Sequence, residues 1–346
     1  MAATIKDVAR AAGVSTSTVS RALSSPGLVN DVTLEVVRKA AERLGYRPNR
    51  AARGLITGRT RNLGIVLPDL GNPVYPGIVK GIQARAHEAD YSAFLADSDE
   101  DASAEPALVR ALAEQVDGIV LCSPRMSDDQ LRDLVGETTL VVINRRVDDI
   151  PSVTFDDHDG VRQAVTHLHA LGHRRIAWVG GPAYSYSQHR RLAGMRTTCA
   201  DLDLDLVDLG QFAPRFSSGL AAADLVVASG ASAVVAYNDL VALGILNRLS
   251  SRGVAVPDRI SVVGHDDIPF ASMTNPGLTT VALSTERAGR TAVDLLLSLL
   301  APGHDRPGPA HRTLASHLLV RATSGVAPPA AVPAREPHPT EEEPHP

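Results

Sequence analysis

The chain has 346 residues, of which 44% are hydrophobic and 21% charged, with a formal net charge of −5 and two cysteines. Two cysteines far apart in sequence imply no disulfide framework, and the sequence contains no run of about eighteen apolar residues that would predict a membrane-spanning helix. Because single domains commonly contain about 100–200 residues, this length predicts more than one domain.

The charge is distributed unevenly along the chain. Residues 1–61 contain eleven Lys and Arg against four Asp and Glu, a net charge of +7, whereas residues 62–346 carry a net charge of −12. Clustered cations bind the phosphates of nucleic acids. The asymmetry therefore indicates that the amino-terminal part alone binds a polyanion.

Residues 4–21 predict two short helices joined by one tight turn. Apolar residues recur at helical spacing up to Ala12, and Gly13 can end the first helix in the left-handed conformation. Ser15 then caps a second helix that buries Val19 and keeps its opposite face polar. Such a helix pair is typical of units that read the DNA major groove.

A third predicted helix argues against the alternative that this segment is an amphipathic hairpin that occurs by chance. Asn30 can cap a helix over residues 33–44, whose apolar stripe runs to Leu44 before Gly45. Three such helices suffice to close a small core.

The basic segment that follows is too short to be a stable helix by itself. Residues 50–55 could form only about one and a half turns, and Gly54 weakens them further. We expect this segment to fold only when another contact orders it. The alternative is a generic basic linker.

From residue 62 onward, short apolar runs alternate with amphipathic stretches, which predicts parallel α/β structure. About 265 residues are more than a single hydrophobic core usually holds, so we expect two doubly wound lobes with a cleft between them. The strand candidates are residues 63–67, 91–96, 117–122, 140–143, 153–155, 175–179, 233–237, 260–263 and 279–281.

Polar side chains follow several of these strands, where open sheets bind ligands. Asn144 follows one strand, and the pairs Asn238-Asp239 and Asp266-Asp267 follow two others. The side chains of these two pairs could instead cap the helices that follow. We interpret Asp239 and Asp267 as caps and the others as ligand contacts.

The stretch from Thr4 to Arg21, together with Gly45-Tyr46-Arg47-Pro48-Asn49, resembles the lactose-repressor (LacI/GalR) family of bacterial transcription regulators. The resemblance extends to residue 324. It implies an N-terminal all-α helix-turn-helix domain followed by an α/β two-lobed, periplasmic-binding-protein-like domain with doubly wound parallel sheets.

The resemblance also implies the domain boundaries. A helix-turn-helix domain spans residues 1–48, a hinge helix and linker residues 49–61, and a two-lobed effector-binding and dimerisation domain residues 62–324. The N-lobe holds about 62–156 and 285–312, and the C-lobe about 157–284 and 313–324. Residues 325–346, rich in Pro and Glu, are expected to be a disordered tail.

By the same resemblance, Thr16, Ser17 and Arg21 face base edges, although each hydroxyl could equally serve as a helix cap. In the hinge helix, Leu55 wedges between base pairs beside its counterpart from a partner subunit. Contacts to phosphates, or positioning contacts, are expected from Thr4, Ser15, Ser20, Asn49, Arg50 and Arg53.

The resemblance places eight residues in contact with a small-molecule effector. Phe212 would stack on a sugar face, with Phe216 as its alternative, and polar groups would bracket ligand hydroxyls. The eight residues are Val74, Tyr75, Asn144, Ser187, Arg191, Phe212, Asn238 and Asp266.

The sequence gives no argument for a metal, a cofactor or catalysis. His167 and His169 diverge on a helix, and His173 stands at the helix end, a favourable position for a cation. No nucleophile triad, phosphate-binding loop or dinucleotide fingerprint occurs, so we expect that the protein is not an enzyme.

We therefore expect a cytoplasmic homodimer on a palindromic operator, controlled by a small-molecule effector that is a carbohydrate or related polyol. Whether the effector releases DNA or favours its binding stays open. The alternatives are a transport-type sugar-binding protein and, third, a cleft enzyme.

Overall fold

A computed structural model describes residues 3–24, 26–46, 58–301 and 310–329. The predicted hinge helix, with Asn49, Arg50, Arg53 and Leu55, lies outside the described residues. So does the tail from residue 330 onward.

The amino-terminal domain contains three helices, and its first turn follows the predicted geometry. They are α1 (Ile5–Ala12), α2 (Thr16–Ser24) and α3 (Asp31–Arg43), with a short 3₁₀ turn (Pro26–Leu28) before α3. Gly13 ends α1 with a φ of 68°, a conformation that a glycine adopts without side-chain strain. Asn30 caps α3 by accepting a hydrogen bond from the Thr33 amide at 2.8 Å.

The small core of this domain forms where the three helices meet. Val8, Val19 and Val37 are fully buried, one from each helix. The predicted apolar stripe of α3 is wrong at its last residue. Leu44 is 36% exposed because it follows the helix as its C-cap, while Leu34 packs against the core in the first turn.

Beyond residue 61, the described strands form two six-stranded sheets. The first sheet contains β1 (Asn62–Leu67), β2 (Ser92–Asp97), β3 (Gly118–Cys122), β4 (Leu140–Ile143), β5 (Ser152–Phe155) and β11 (His311–Leu314). The second contains β6 (Arg175–Gly180), β7 (Asp205–Gln211), β8 (Ala233–Ala236), β9 (Ser261–Asp266), β10 (Thr279–Ala282) and β12 (His317–Leu319).

Both sheets are doubly wound, as predicted. The strand orders are β11-β5-β4-β3-β1-β2 and β12-β10-β9-β8-β6-β7. Every pairing between these strands is parallel except β10 with β12. The central strands β3 and β4 are buried along their whole length, because helices cover both faces of a parallel sheet.

Helices pack against each sheet, from two separate stretches of chain in the first lobe and from one stretch in the second. The first lobe has α4 (Val74–Glu88), α5 (Glu105–Ala113), α6 (Asp128–Glu137) and α12 (Thr285–Leu300). The second has α7 (Asp157–Ala170), α8 (Tyr186–Asp201), α9 (Phe216–Ala228), α10 (Asp239–Ser251) and α11 (Pro269–Met273). Within the described ranges, no helix is long and apolar enough to cross a bilayer.

The chain crosses between the lobes three times. The first two crossings lie before α7 and before α12, near the predicted positions. The third lies after Leu314, slightly later than the predicted boundary at 313, because Leu314 still pairs with Phe155 in the first sheet.

The sequence did not predict three of the strands, β7, β11 and β12. Each has one hydrogen-bonded neighbour and lies at a sheet edge, where side chains stay partly exposed. Such strands lack the continuous apolar run that identified the central ones.

The start of the predicted disordered tail is held in place. The Gly325 amide donates to Ser261 Oγ at 3.0 Å, and the Ala327 amide donates to the Leu171 carbonyl at 2.9 Å. The prediction of disorder is therefore wrong for residues 325–327, because the second lobe offers hydrogen-bond acceptors that composition alone does not reveal.

Candidate functional site

The polar face predicted on α2 is exposed in the amino-terminal domain. Thr16, Ser17 and Arg21 are all exposed, and Arg21 Nε donates to the Ser17 carbonyl at 3.4 Å. Ser20, on the same helix, is half-buried. A short helix with exposed hydroxyl and guanidinium groups can enter a major groove and meet base edges.

Two of the predicted DNA-contacting hydroxyls are engaged at helix starts. Ser15 Oγ accepts a hydrogen bond from the Thr18 amide at 3.1 Å, which caps α2. Thr4 Oγ1 donates to Asp7 Oδ2 at 2.7 Å at the start of α1. These two side chains therefore stabilise the first turns of α2 and α1.

A cavity lies between the two lobes at the carboxyl ends of their strands. It encloses about 20 Å³, room for about one water molecule, so the lobes lie close together. Seven of the eight predicted effector contacts line it, namely Val74, Tyr75, Asn144, Ser187, Arg191, Asn238 and Asp266.

Phe212 is the predicted contact that the structure does not bring to this cavity. Its amide donates to the Gly180 carbonyl at 3.0 Å, which continues the pairing of the edge strand, and its ring packs against the apolar core of the second lobe. Its alternative, Phe216, lines a different cavity. Pro214 lines the inter-lobe cavity instead.

A second, larger cavity of about 620 Å³ lies on the second lobe around Phe216 and Leu246. Its lining contains no charged side chain and lies away from the strand ends between the lobes. We assign the candidate ligand site to the inter-lobe cavity, where polar groups converge.

Several lining residues were missed by the sequence analysis. Ser123 and Arg125 follow strand β3, and Phe155 ends strand β5. The same strand-end rule that identified Asn144 would have found them. Tyr237 also lines the cavity, directly after β8.

Arg191 is the centre of a buried network of charges. Its side chain is 3% exposed, and Nε donates to Asp157 Oδ1 at 2.9 Å while Nη2 donates to Asp266 Oδ1 at 3.2 Å. Nη1 donates to the Tyr237 carbonyl at 2.6 Å. His265 Nε2 lies 3.2 Å from the same Asp157 oxygen.

The network gives the two carboxyl groups, Asp157 and Asp266, different pKa values. Burial favours a raised pKa for Asp157, but Arg191 and His265 outweigh it, so its pKa is lowered. Burial raises the pKa of Asp266 to about 7, with Asp157 adding to the effect and Arg191 opposing it. Burial, followed by the charge of Arg191, lowers the pKa of His265 to about 4, so this imidazole is neutral at pH 7.

Asn144 joins the two lobes across the cavity. Its Nδ2 donates to Ser123 Oγ of the first lobe at 3.0 Å and to Ser187 Oγ of the second at 2.8 Å. Its buried Oδ1 has no protein partner among the described residues. This amide can therefore accept a hydrogen bond from a ligand hydroxyl.

The helix-cap predictions at the neighbouring strand ends have mixed outcomes. Asn238 caps α10 through the Val241 amide at 3.0 Å and also lines the cavity. The cap interpretation is wrong for Asp239, which accepts from the Ile268 amide and Thr280 Oγ1. It is also wrong for Asp267, which pairs with Arg321 at 2.7 Å, because both residues have partners on distant segments.

The histidines of the second lobe hold chain segments together. His173 is fully buried between Ser232 Oγ at 2.8 Å and Ser261 Oγ at 3.1 Å, and burial lowers its pKa. The interpretation of His173 as a cation position is therefore wrong. His167 Nε2 lies 2.9 Å from Ser324 Oγ. Within the described part of the chain, no group of three or more His, Cys, Asp or Glu is placed to hold a metal.

Two family models match the chain. Residues 4–49 match the model described as bacterial regulatory proteins, lacI family, and residues 165–324 match the periplasmic binding protein-like domain.

Curated relatives match over nearly their full lengths. The transcriptional regulator RegA of Clostridium saccharobutylicum is 36% identical over 317 residues, which cover 87% of this chain and 93% of that protein. The transcriptional repressor CytR of Escherichia coli K12 is 30% identical over 335 residues, which cover 94% of this chain and 98% of that protein.

Solved structures show the same architecture. The lac repressor dimer bound to operator and the anti-inducer ONPF is 30% identical, with a TM-score of 0.83 over 94% of this chain and 100% of that one. The complex of the transcriptional regulator CelR with cellobiose is also 30% identical, with a TM-score of 0.70 over 93% of this chain and 100% of that one.

Proposed function

Because this chain belongs to the lacI family of bacterial regulatory proteins, we propose that a small ligand bound between its lobes controls its affinity for an operator. The protein is a DNA-binding transcriptional regulator with a helix-turn-helix domain and a two-lobed ligand-binding domain. The family consists of regulators rather than enzymes.

The exposed face of α2 supports major-groove reading by Thr16, Ser17 and Arg21. Arg21 is the strongest base reader of the three, because a guanidinium can donate two hydrogen bonds to one guanine, whereas a hydroxyl discriminates weakly. Thr4, Ser15 and Ser20 orient the reading helix or contact phosphates.

Two copies of this domain on a palindromic operator supply the rest of the specificity. The structurally similar lac repressor binds its operator as a dimer, and we propose the same for this chain. In the segment outside the described residues, Leu55 enters the minor groove, and Asn49, Arg50 and Arg53 contact the backbone. This assignment rests on the sequence.

The observation that supports a ligand-controlled regulator is the convergence of polar groups from both lobes on one cavity. Asn144 and Ser187 meet across it, and Arg191 presents a guanidinium beside two carboxylates. Such groups bracket the hydroxyls of a polyol, while Tyr75 and Phe155 offer rings to its apolar face. The similar regulator CelR was solved with cellobiose, so we propose a carbohydrate effector.

A two-step experiment tests this function. A thermal-shift screen of sugars and nucleosides identifies the ligand, and fluorescence anisotropy then measures operator affinity with and without it. We expect the hit to change operator affinity, and Arg191→Ala and Asp266→Ala to abolish that response. Arg162→Ala, which breaks an exposed ion pair on the second lobe, is the matched control and should respond like wild type.

The rival functions give different outcomes. A hit that binds without changing operator affinity would favour a transport-type binding protein. Turnover of the hit would favour an enzyme. Full response in both Arg191→Ala and Asp266→Ala would refute the assigned site.

A further inference from the structure

A second buried arginine lines the inter-lobe cavity, on the opposite lobe from Arg191. Arg125 follows strand β3, and its side chain is 4% exposed. Its Nε donates to Glu100 Oε2 at 2.7 Å, and its Nη2 donates to Glu100 Oε1 at 2.9 Å. Such a bidentate pair fixes both side chains in one plane and neutralises both charges.

The backbone on both sides holds this pair in position. Glu100 lies in the left-handed region at a φ of 60°, and its amide donates to the Pro68 carbonyl at 2.6 Å. The amides of Arg125 and Met126 both donate to Glu105 Oε2, a buried carboxylate on α5. The pair is therefore preorganised by its own lobe.

The second lobe covers the pair with an aromatic ring. The Tyr184 ring centroid lies 5.6 Å from Arg125 Cζ, and the Tyr184 hydroxyl lies 3.5 Å from Glu100 Oε2. This contact shields the ion pair from solvent when the lobes are together, which strengthens it.

Both arginines that line the cavity are thus already paired with carboxylates. Arg125 has Glu100, and Arg191 has Asp157 and Asp266. An anionic ligand would have to displace one of these carboxylates or lie beside it, and an uncompensated buried charge is costly. A neutral hydroxyl can donate to a carboxylate and accept from a guanidinium, so it suits the cavity as it stands.

We propose that the Arg125–Glu100 pair is a specificity determinant that admits an uncharged polyhydroxyl effector and rejects its phosphorylated or carboxylated counterpart. This inference rests on the proposed carbohydrate effector and narrows it to neutral compounds. Glu100 acts by occupying the guanidinium that would otherwise bind the anion.

The test compares matched ligand pairs on the full chain by isothermal titration calorimetry. The pairs are ribose with ribose 5-phosphate, glucose with glucose 6-phosphate, glucose with glucuronate, and the neutral hit of the screen with its phosphate ester. Wild type should bind the neutral member at least about tenfold more tightly. Glu100→Gln should raise the affinity for the anionic member by about tenfold or more, because Arg125 becomes available to it.

Two further variants show whether the increased affinity in Glu100→Gln comes from the freed guanidinium of Arg125 or simply from the loss of a negative charge. The double variant Glu100→Gln with Arg125→Gln should lose the increased affinity for the anionic member. Arg125→Gln alone should further weaken binding of the anionic member, because the Glu100 carboxylate near the cavity then lacks its cationic partner. This result stands even if Glu100→Gln fails to fold. Glu137→Gln is the matched control, because Glu137 forms a bidentate pair with Arg110 on the surface of the same lobe.

The outcomes distinguish the inference from the function on which it rests. If a sugar changes operator affinity but wild type binds its anionic counterpart equally well, the specificity proposal is wrong and the proposed function stands. An unchanged preference in Glu100→Gln, or a gain that persists in the double variant, also overturns it. If no carbohydrate binds, the carbohydrate effector fails and the specificity proposal fails with it.

Discussion

Asp266 holds its proton more tightly than an ordinary aspartate because burial disfavours the charged form. Burial and the neighbouring Asp157 raise its pKa to about 7 against the opposing charge of Arg191. The carboxyl group is therefore partly protonated at neutral pH, where it can both donate and accept hydrogen bonds. This dual capacity suits the recognition of ligand hydroxyls.

The raised pKa of Asp266 predicts a pH-dependent stability. A carboxyl group whose pKa is higher in the folded than in the unfolded state destabilises the fold progressively as the pH rises from about 4 to 7. Asp266→Asn removes this penalty. Relative to wild type, its free energy of unfolding should therefore increase by about 2–3 kcal/mol between pH 5 and pH 8.

Urea unfolding of both proteins at the two pH values measures this difference. The control Asp258→Asn, at an exposed carboxylate, should have the same free energy of unfolding as wild type at both pH values. An equal effect of Asp266→Asn at pH 5 and pH 8 would contradict the assignment.

Arg21 is the residue on which base recognition is predicted to depend. Arg21→Ala should lower specific operator affinity by about 10- to 100-fold, because it removes a bidentate contact to a base. Fluorescence anisotropy at fixed salt measures this loss. Lys39→Ala is the control for lost positive charge, since Lys39 is an exposed residue of α3 that pairs with Glu35. Equal effects of the two substitutions would argue against base reading by Arg21.

At the scale of elements, glycines let pairs of helices pack closely in both lobes. A Cβ at Gly244 of α10 would lie 2.1 Å from the Phe216 carbonyl oxygen, and one at Gly219 of α9 would lie 2.1 Å from the Val241 carbonyl oxygen. In the first lobe, a Cβ at Gly81 of α4 would lie 2.0 Å from the Glu286 carbonyl oxygen. These backbones touch where a side chain has no space.

Gly244→Ala should therefore destabilise the second lobe. Overpacking at a backbone contact should lower the free energy of unfolding by about 1–3 kcal/mol, measured by urea denaturation. Gly136→Ala is the control, because Gly136 lies in helix α6 with open space around it. This control should be neutral or stabilising by up to about 1 kcal/mol, since alanine favours helix over glycine. A stabilised Gly244→Ala variant would contradict the close packing.

At the scale of the whole molecule, DNA binding should depend on two copies of the chain acting together. We propose that residues 49–61 couple the spacing of the two ligand-binding domains to DNA affinity. Each lobe contributes groups to the cavity, so a ligand that changes the lobe arrangement can change that spacing.

If Leu55 is the proposed minor-groove wedge, Leu55→Ala should weaken operator binding and reduce the bend in the DNA, because alanine cannot unstack a base step. Anisotropy gives the affinity, and energy transfer between dyes at the operator ends gives the bend. Leu55→Met is the control, since a methionine can also wedge between bases. A full bend in the alanine variant would remove Leu55 from the proposed mechanism.

The sequence by itself determined the elements with strong local signals. Gly13, Ser15 and Asn30 act within a few residues of their own positions, so the helix-turn-helix could be located from spacing. The central strands carry continuous apolar runs because both of their faces are buried. Strand ends located Asn144, Asn238 and Asp266, because open parallel sheets bind ligands at the carboxyl ends of their strands.

Only the tertiary structure decided which side chains meet. Arg191 lies 34 residues from Asp157 and 75 residues from Asp266, and no local spacing pairs them. The pairing of Arg125 with Glu100 and the core position of Phe212 likewise depend on how neighbouring segments pack. Local patterns fix helices and strands because backbone preferences act over a few residues, whereas burial and charge pairing depend on segments that folding brings together.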